Sequence, residues 1–419
     1  MQTVLAKNQP FDGTNMSKGN MNISKYLVIN FLKIGATSFG GFLAMVSVVQ
    51  DQMVTRDKTI RNELILDGIS LASVIPGPLA VNVVTYIGYH LDGIRGALIS
   101  MMAVILPSFL LVLGLSWSYF KYGTLPLVDN IFSGIMPAVV AIILIVAIRM
   151  AKKSVTDYKQ WGICILSGLL LIWVGGFFIT LGLIIFGGLA GFILYYKFLS
   201  PKEFTEILPA KKKKNFPYLF LSILSTVIII ILILPHFSSP GMQGFFTDMQ
   251  KLMVVFSGMS LTLFGGGYVF IPAMQETVVQ NLHWLSVKEF TDGIAIGQIT
   301  PGPILISATF IGYKVAGFWG AFIATIAIFL PSGVLMIICT HFLEKFKKSN
   351  LVTSIFMGLR PAVIGMVFAA SFTIGRNIEI NWQAIVIFLI VFLINFKYEV
   401  NAAILIPVSG ILGIILYNI

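Results

Sequence analysis

Long apolar runs separated by short polar segments organise the chain. Val139–Ile148, Ile163–Gly175, Thr226–Leu234 and Ala384–Ile394 are almost uninterrupted. Extended by flanking small residues to about 20 positions, such runs read as transmembrane helices, whereas an outer-membrane barrel would show short alternating segments. Six apolar elements precede residue 197, at about 26–49, 65–90, 94–118, 127–150, 161–176 and 177–196. A charged segment follows, 197–216, holding the run Lys211–Lys214, and then a lone apolar helix at 217–235. Six more elements occupy about 251–272, 289–313, 317–342, 350–375, 381–397 and 400–418. The pattern predicts an all-α polytopic membrane protein with about 13 transmembrane helices.

Composition agrees. Of 419 residues, 57% are hydrophobic and 11% charged, against about 25% charged in a soluble domain. Mean hydropathy is +0.93. A soluble enzyme and a disordered chain are both excluded. The net charge of +11 is explained by basic loops that set topology, so nucleic acid is not implied. Cys164 and Cys339 stand in apolar runs and read as core fillers without a disulfide. Four scattered histidines have no metal-ligand spacing. There is no nucleotide motif and no hydrolase constellation, so neither ATP, a cofactor nor an enzyme is expected. The first 25 residues are polar, lack the apolar core of a signal peptide, and read as a cytoplasmic N-terminus, with the first membrane helix as its own insertion signal.

Loop charges test the count. With every element crossing, the inner segments hold Lys7, Lys18 and Lys25; Lys152, Lys153 and Lys159; Lys197, Lys202 and Lys211–Lys214; and Lys345, Lys347 and Lys348. The outer segment 119–126 holds only Lys121, and 236–250 holds no Lys or Arg. This predicts the N-terminus inside and the C-terminus outside. The exception is 50–64, placed outside although it carries Arg56, Lys58 and Arg61 beside Asp51, Asp57 and Glu63.

Self-comparison reveals an internal repeat. Phe39-Gly40-Gly41 recurs as Phe264-Gly265-Gly266, Asp51 as Glu276, Asp67-Gly68-Ile69 as Asp292-Gly293-Ile294, and Pro76-Gly77-Pro78 as Pro301-Gly302-Pro303. These pairs share an offset of 225 (264 − 39). One residue is then dropped. Gly88-Tyr89 matches Gly312-Tyr313, Leu106-Pro107-Ser108 matches Leu330-Pro331-Ser332, and Pro137-Ala138-Val139 matches Pro361-Ala362-Val363. Residues 26–196 and 251–419 are therefore two copies of one module, joined by the linker 197–216 and the helix 217–235. Seven crossings separate equivalent positions. Seven is odd, so the second copy is inverted, a common plan of secondary transporters. The linking helix performs the inversion. If the Pro-Gly-Pro elements alone were re-entrant, the parity would change.

Both Phe-Gly-Gly and Pro-Gly-Pro interrupt apolar helices. Proline removes a donor and clashes with the preceding turn, and non-helical backbone survives in lipid only where protein or a watery cavity covers it. Four breaks predict a buried site near mid-membrane. Each creates a new helix N-terminus, suited to an anion, and glycine admits a ligand close to the backbone. Pro107, Pro137, Pro331 and Pro361 read as bends. Asn82, Gln298, Thr300 and Ser307 flank the breaks and can donate to an oxyanion. Arg360 and Lys33 are cations within apolar spans. A central arginine costs roughly 2.5–3.5 kcal/mol on insertion scales, so Arg360 suggests a polar path, while Lys33 either faces the site or snorkels. Asp51, Asp67, Glu276 and Asp292 could cap helices or carry a coupling proton, with capping preferred for the paired Asp67 and Asp292.

At these residues the sequence resembles the chromate ion transporter family in its long, two-domain form. The segments that carry the likeness are FLKIGATSFGG (31–41), DGISLASVIPGPLAVNVVTYIGYHLDGIRGA (67–97), ILPS (105–108), FSGMSLTLFGGGYVFIPAMQETVV (256–279), DGIAIGQITPGPILISATFIGY (292–313) and FLPSG (329–333). The likeness spans about 26–418. It implies an integral membrane protein of the cytoplasmic membrane of a prokaryote, with antiparallel halves. It also implies export of chromate with sulfate competing, usually described as proton-coupled antiport. Relatives often continue the first Phe-Gly-Gly with proline, where this chain has Phe42. The expected site comprises Lys33, Phe39, Gly40, Gly41, Pro76, Gly77, Pro78, Asn82, Phe264, Gly265, Gly266, Gln298, Thr300, Pro301, Gly302, Pro303 and Arg360. The expected partners are a small inorganic anion, chromate or sulfate, and the lipid bilayer, with a homodimer as one candidate assembly. A carrier for another small anion, such as an organic acid, and a passive anion channel are the rival readings.

Overall fold

The computed structural model describes residues 22–38, 41–72, 75–122, 126–174, 177–198, 240–262, 267, 270–340, 350–376, 378, 379, 381–400 and 402–417. Most of the expected basic linker, the whole linking helix at 217–235, and the site residues Phe39, Gly40, Phe264, Gly265 and Gly266 lie outside them. Fourteen α-helices occupy the described residues, without a strand. In the first half α1 is Ile23–Thr37. α2, Gly41–Val49, runs on into a wide π-helical turn, Gln50–Arg56. α3 is Asn62–Ala72, and α4, Leu79–Tyr122, bends at Asp92-Gly93. α5 (Pro126–Ser154), α6 (Tyr158–Trp173) and α7 (Phe177–Tyr195) follow. The second half repeats the order. α8 is Pro240–Thr262, and α9, Phe270–Gln275, carries the π turn Glu276–Asn281. α10 is Val287–Ile299, and α11, Ser307–Thr340, bends at Ala316-Gly317. α12 (Asn350–Gly375), α13 (Trp382–Tyr398) and α14 (Ala402–Tyr417) complete it.

The repeat extends to the backbone. Positive φ occurs in three equivalent pairs: Lys58 and His283 (51° and 50°), Gly77 and Gly302 (both 105°), and Gly93 and Gly317 (64° and 59°). Thr59 N–H donates to Met53 O at 2.9 Å, and Trp284 N–H to Val278 O at 2.8 Å. The two halves also repeat a cap whose sequence differs. Asp157 caps α6 and accepts the Tyr195 hydroxyl at 2.7 Å, while Asn381 caps α13 and accepts the Tyr417 hydroxyl at 3.0 Å. Pro107, Pro137, Pro331 and Pro361 stand inside continuous helices, and the sharp bends fall at the glycine pairs instead.

The elements read from the sequence as the first two spans fold back. The Tyr26 hydroxyl, at the start of α1, donates to Asp57 at 2.7 Å and lies 2.9 Å from Thr59 Oγ1. The chain has therefore returned to its entry level after α2. α3 and the first part of α4 lie side by side and antiparallel, because a Cβ on Gly68 would come within 2.9 Å of the Tyr86 ring. Gly293 stands in the same relation to Phe310. At the bends the chain reverses again, Gly88 lying against Gly96 and Gly312 against Gly320, too close for a Cβ on any of the four. The length explains the reversal. The 11 residues of α3 reach about 16 Å, half of a hydrocarbon core roughly 30 Å thick.

α4 and α11, equivalent in the repeat, pack antiparallel. Met101 faces Gly333, and Phe109 meets Phe322 with ring centroids 6.3 Å apart. The halves interlock through glycine-lined approaches. α5 packs on α13 and α14, and α12 packs on α6 and α7, with Gly134 on Gly413, Gly168 on Gly365 and Gly191 on Gly358. Arg149, at the end of α5, donates to Asn395 at the end of α13. The outer faces are apolar, as lipid requires: Trp161, Ile165 and Leu169 on α6, and Ile385, Leu389 and Leu393 on α13, are exposed. Four stretches, Leu79–Tyr122, Asn130–Lys152, Ile304–Thr340 and Thr353–Gly375, are long and apolar enough to cross a membrane. This is the all-helical fold of a polytopic membrane protein.

Candidate functional site

The chain reversals meet inside the protein, and each half's reversal is held by the other half. The Gly302 N–H donates to Ser38 O at 2.7 Å, joining the second Pro-Gly-Pro to the end of α1. Ser108 Oγ, on α4, donates to Pro301 O at 2.5 Å. Reciprocally, Gly77 lies against Ser332 of α11 and Ser260 O of α8, where a Cβ would sit 2.2 Å from the Ser332 Cβ. The positive φ of 105° at Gly77 and Gly302 and these contacts both demand glycine. All six residues of the two Pro-Gly-Pro segments are buried.

The sequence expected the break N–H groups to be free for a ligand. That of Gly302 is taken by Ser38. At the start of α4 the Asn82 N–H, bonded to Pro78 O at 3.0 Å, closes the first turn, and the N–H groups before it have no backbone partner among the described residues. The preceding N–H groups have no helical partner and carry the positive end of the helix dipole. Each half has a buried amide close in sequence to its Pro-Gly-Pro. Asn82 is fully buried, and its Nδ2 reaches Pro76 O at a long 3.4 Å while its Oδ1 has no hydrogen bond. Gln298, one turn before Pro301, is 4% exposed, and neither side-chain atom has a partner. An unpaired buried amide costs about 1–3 kcal/mol. Thr300 and Ser307, by contrast, bond their own backbone, at Gly297 O and Ile304 O.

The cations stand elsewhere. Arg360, ten residues into α12 and thus roughly 15 Å along it, is exposed. Its guanidinium lies 5.9 Å from the Phe356 ring, without an ion pair to a described carboxylate. Lys33 is exposed and 3.5 Å from Gln52 Oε1. Gly41 opens α2.

None of Asp51, Asp67, Glu276 and Asp292 caps a helix. Ser286 caps α10 in a capping box with Glu289, leaving Asp292 well inside the helix. Asp292 is fully buried and accepts the Tyr119 hydroxyl at 2.6 Å from the other half. Asp67, its equivalent, lies inside α3 and is half-buried. Asp51 pairs with Arg56 at 2.7 Å, and Glu276 opens a π turn that has no side-chain cap. The expectation that Asp67 and Asp292 cap helices is thus corrected, because both α3 and α10 begin about a turn earlier. Sequence reasoning missed Ser38, Tyr119 and Ser260 as partners of the reversals. It read the Leu-Pro-Ser pair as a match of the repeat and its prolines as helix bends, although the recurring Ser108 and Ser332 were the available signal.

Comparisons with known proteins agree with the repeat and with its composition. The family profile described as chromate transporter matches residues 25–206 and again 250–414. An uncharacterized transporter of Methanocaldococcus jannaschii is 30% identical over 408 residues, 96% of this chain and 98% of its own. The chromate transport protein of Cupriavidus metallidurans is 30% identical over 397 residues, 94% of this chain and 93% of its own. That of Pseudomonas aeruginosa is 26% identical over 405 residues, 92% and 91% of the two chains. No solved structure matches.

Proposed function

Because this chain belongs to the chromate transporter family, a transport family and not an enzymatic one, we propose that it is a secondary transporter. It exports chromate, or a similar tetrahedral oxyanion such as sulfate, by alternating access. The observation that carries the reading is Gln298, a buried amide without a protein partner at the point where the reversals meet. Its Nε2 donates to the anion, alongside the free N–H groups at the start of α4. Neutral donors and a helix N-terminus suit an oxyanion. Arg360, exposed at depth, lines the aqueous route to the site, since facing lipid would carry the insertion cost of a central arginine. Export is helped by an inside-negative potential, about 2.3 kcal/mol per charge per 100 mV.

The two halves are inverted repeats in this reading, supported by the antiparallel packing of α4 on α11. Each half contributes two re-entrant hairpins, α1–α2 and α3 with the start of α4. Four crossings follow, and the linking helix 217–235 adds the ninth. Because both hairpins of a half fold back, the parity stays odd. The charge exception at 50–64 then disappears. Arg56, Lys58 and Arg61 fall at the same end as Lys152, Lys153, Lys159, Lys197, Lys345, Lys347 and Lys348. Only Lys121, Lys251, Lys288, Lys314 and Arg376 fall at the other end. The N-terminus is inside and the C-terminus outside by the positive-inside rule.

Tracer chromate flux in proteoliposomes tests the function, comparing the unaltered chain with Gln298→Ala and Arg360→Ala and using sulfate as competitor. Saturable, sulfate-inhibited flux that Gln298→Ala weakens is expected. Absence of flux from well-folded protein under an imposed gradient sinks the substrate assignment, and flux without trans-stimulation points to a channel.

A further inference from the structure

The two Leu-Pro-Ser turns, 106–108 and 330–332, are equivalent, and each sets its serine against the other half's Pro-Gly-Pro. They are nevertheless in different states. Ser108 Oγ donates across the halves to Pro301 O. Ser332 Oγ donates within its own helix, to Phe329 O at 3.1 Å. Pro76 O, the equivalent of Pro301 O, receives Asn82 Nδ2 instead.

The hairpins around them differ in the same sense. α10 is buried at every position from Phe290 to Gln298, packs on α5 and α14, and is tied by Tyr119 to Asp292. α3, its equivalent, packs on α4 and α11 but, among the described residues, makes no comparable packing on α12 and α7, the equivalents of α5 and α14. Leu66 is 53% exposed, where the equivalent Thr291 is 2%. Ser70 is exposed, where Ala295 is fully buried. One sequence module thus stands in two arrangements, docked in one half and undocked in the other. In inverted-repeat transporters one repeat rocks or gates against the other during alternating access.

We propose that Ser108 and Ser332 are positioning residues that hold the two Pro-Gly-Pro reversals alternately. In the opposite state α3 docks on α7 and α12 with Ser332 Oγ on Pro76 O. α10 then leaves α5 and α14, and Ser108 Oγ turns to Ile105 O, the equivalent of Phe329 O. The arrangement described here has the hairpin of the N-terminal half open, on the inner side by the topology above. This rests on the transporter reading and adds which contacts exchange.

The test uses Ser70→Cys and Ala295→Cys as single reporters, in a chain with Cys164 and Cys339 replaced by alanine, labelled in proteoliposomes with a membrane-impermeant maleimide. Ser108→Ala should raise labelling at position 295 and lower it at position 70, with the equilibrium shifted about fivefold, the worth of one hydrogen bond. Ser332→Ala should shift both the opposite way. A merely structural role would move both variants in one direction, and that result, or no shift, overturns the proposal. A second measurement leaves both serines intact and imposes a sulfate gradient in either direction. The two reporters must then change reciprocally, and parallel or unchanged labelling overturns the proposal even if Ser108→Ala fails to fold. Reciprocal labelling without chromate flux would leave the exchange standing and remove the substrate assignment. Normal flux with parallel labelling would do the reverse.

Discussion

Gly302→Ala probes the centre of the molecule most directly. Gly302 has φ of 105°, where a side chain is strained by about 1–3 kcal/mol. A Cβ would sit 2.1 Å from Ser108 Oγ and 3.2 Å from its Cβ. The hydroxyl must rotate away, and losing its bond to Pro301 O costs about 1 kcal/mol. Residual crowding adds about 1–2 kcal/mol. The expected loss is about 3–6 kcal/mol, a large share of a typical stability of about 5–15 kcal/mol. Gly317→Ala is the control, because φ is 59° but nothing lies within 4 Å, leaving strain of about 1–2 kcal/mol. Adding Ser108→Ala removes the clashing atom, so the double variant should be no less stable than Gly302→Ala alone. Gly77 behaves differently. Its Cβ would meet the Ser332 Cβ at 2.2 Å, and alanine at 332 retains that atom, so Ser332→Ala should not rescue Gly77→Ala. Reversible unfolding in mixed micelles, followed by tryptophan fluorescence, measures each difference. Gly302→Ala as stable as Gly317→Ala, or equal rescue at both glycines, would refute the packing described here.

Other expectations are separable by sign. Gln298→Leu should stabilise the protein by about 1 kcal/mol, by removing an unpaired buried amide, while lowering chromate affinity in competition binding; a parallel loss of both would make Gln298 structural. Tyr119→Phe leaves Asp292 without its phenol and should cost about 1–3 kcal/mol in the same unfolding assay, whereas Tyr122→Phe, on the same helix end, should be neutral. Asp157 lies in the loop before α6. Burial works against its carboxylate, but the Tyr195 hydroxyl, the backbone of Gln160 and Lys159, and the Lys159 charge outweigh it and hold its carboxyl below the usual range. That stabilisation is complete above the ordinary carboxylate pKa of about 3.9 and is lost as pH falls through the depressed value. Asp157→Asn, which copies Asn381 of the second half, should flatten the acid limb of stability against pH and change little at neutrality. An unchanged acid limb would discount the group.

The sequence by itself determined the class, the repeat and the places where helices break. Apolar runs cannot be covered in water, and collinear matches such as Asp67-Gly68-Ile69 with Asp292-Gly293-Ile294 need no coordinates. It also located the Pro-Gly-Pro reversals, since proline and glycine act locally on the backbone. Direction was not legible. An apolar element with a break at its middle has the same hydropathy whether it crosses or folds back, and only contacts such as Tyr26 with Asp57 and Gly68 with Tyr86 decide between them. Nor could the sequence say which reversal meets which, because Gly302 with Ser38 and Ser108 with Pro301 join residues from opposite halves. The caps Asp157 and Asn381 escaped self-comparison because the residue types differ, although a carboxylate and an amide can each accept a tyrosine hydroxyl. Local chemistry is written in residue types, whereas partnership between distant segments, including the docked α10 and the undocked α3, exists only once packing has brought them together.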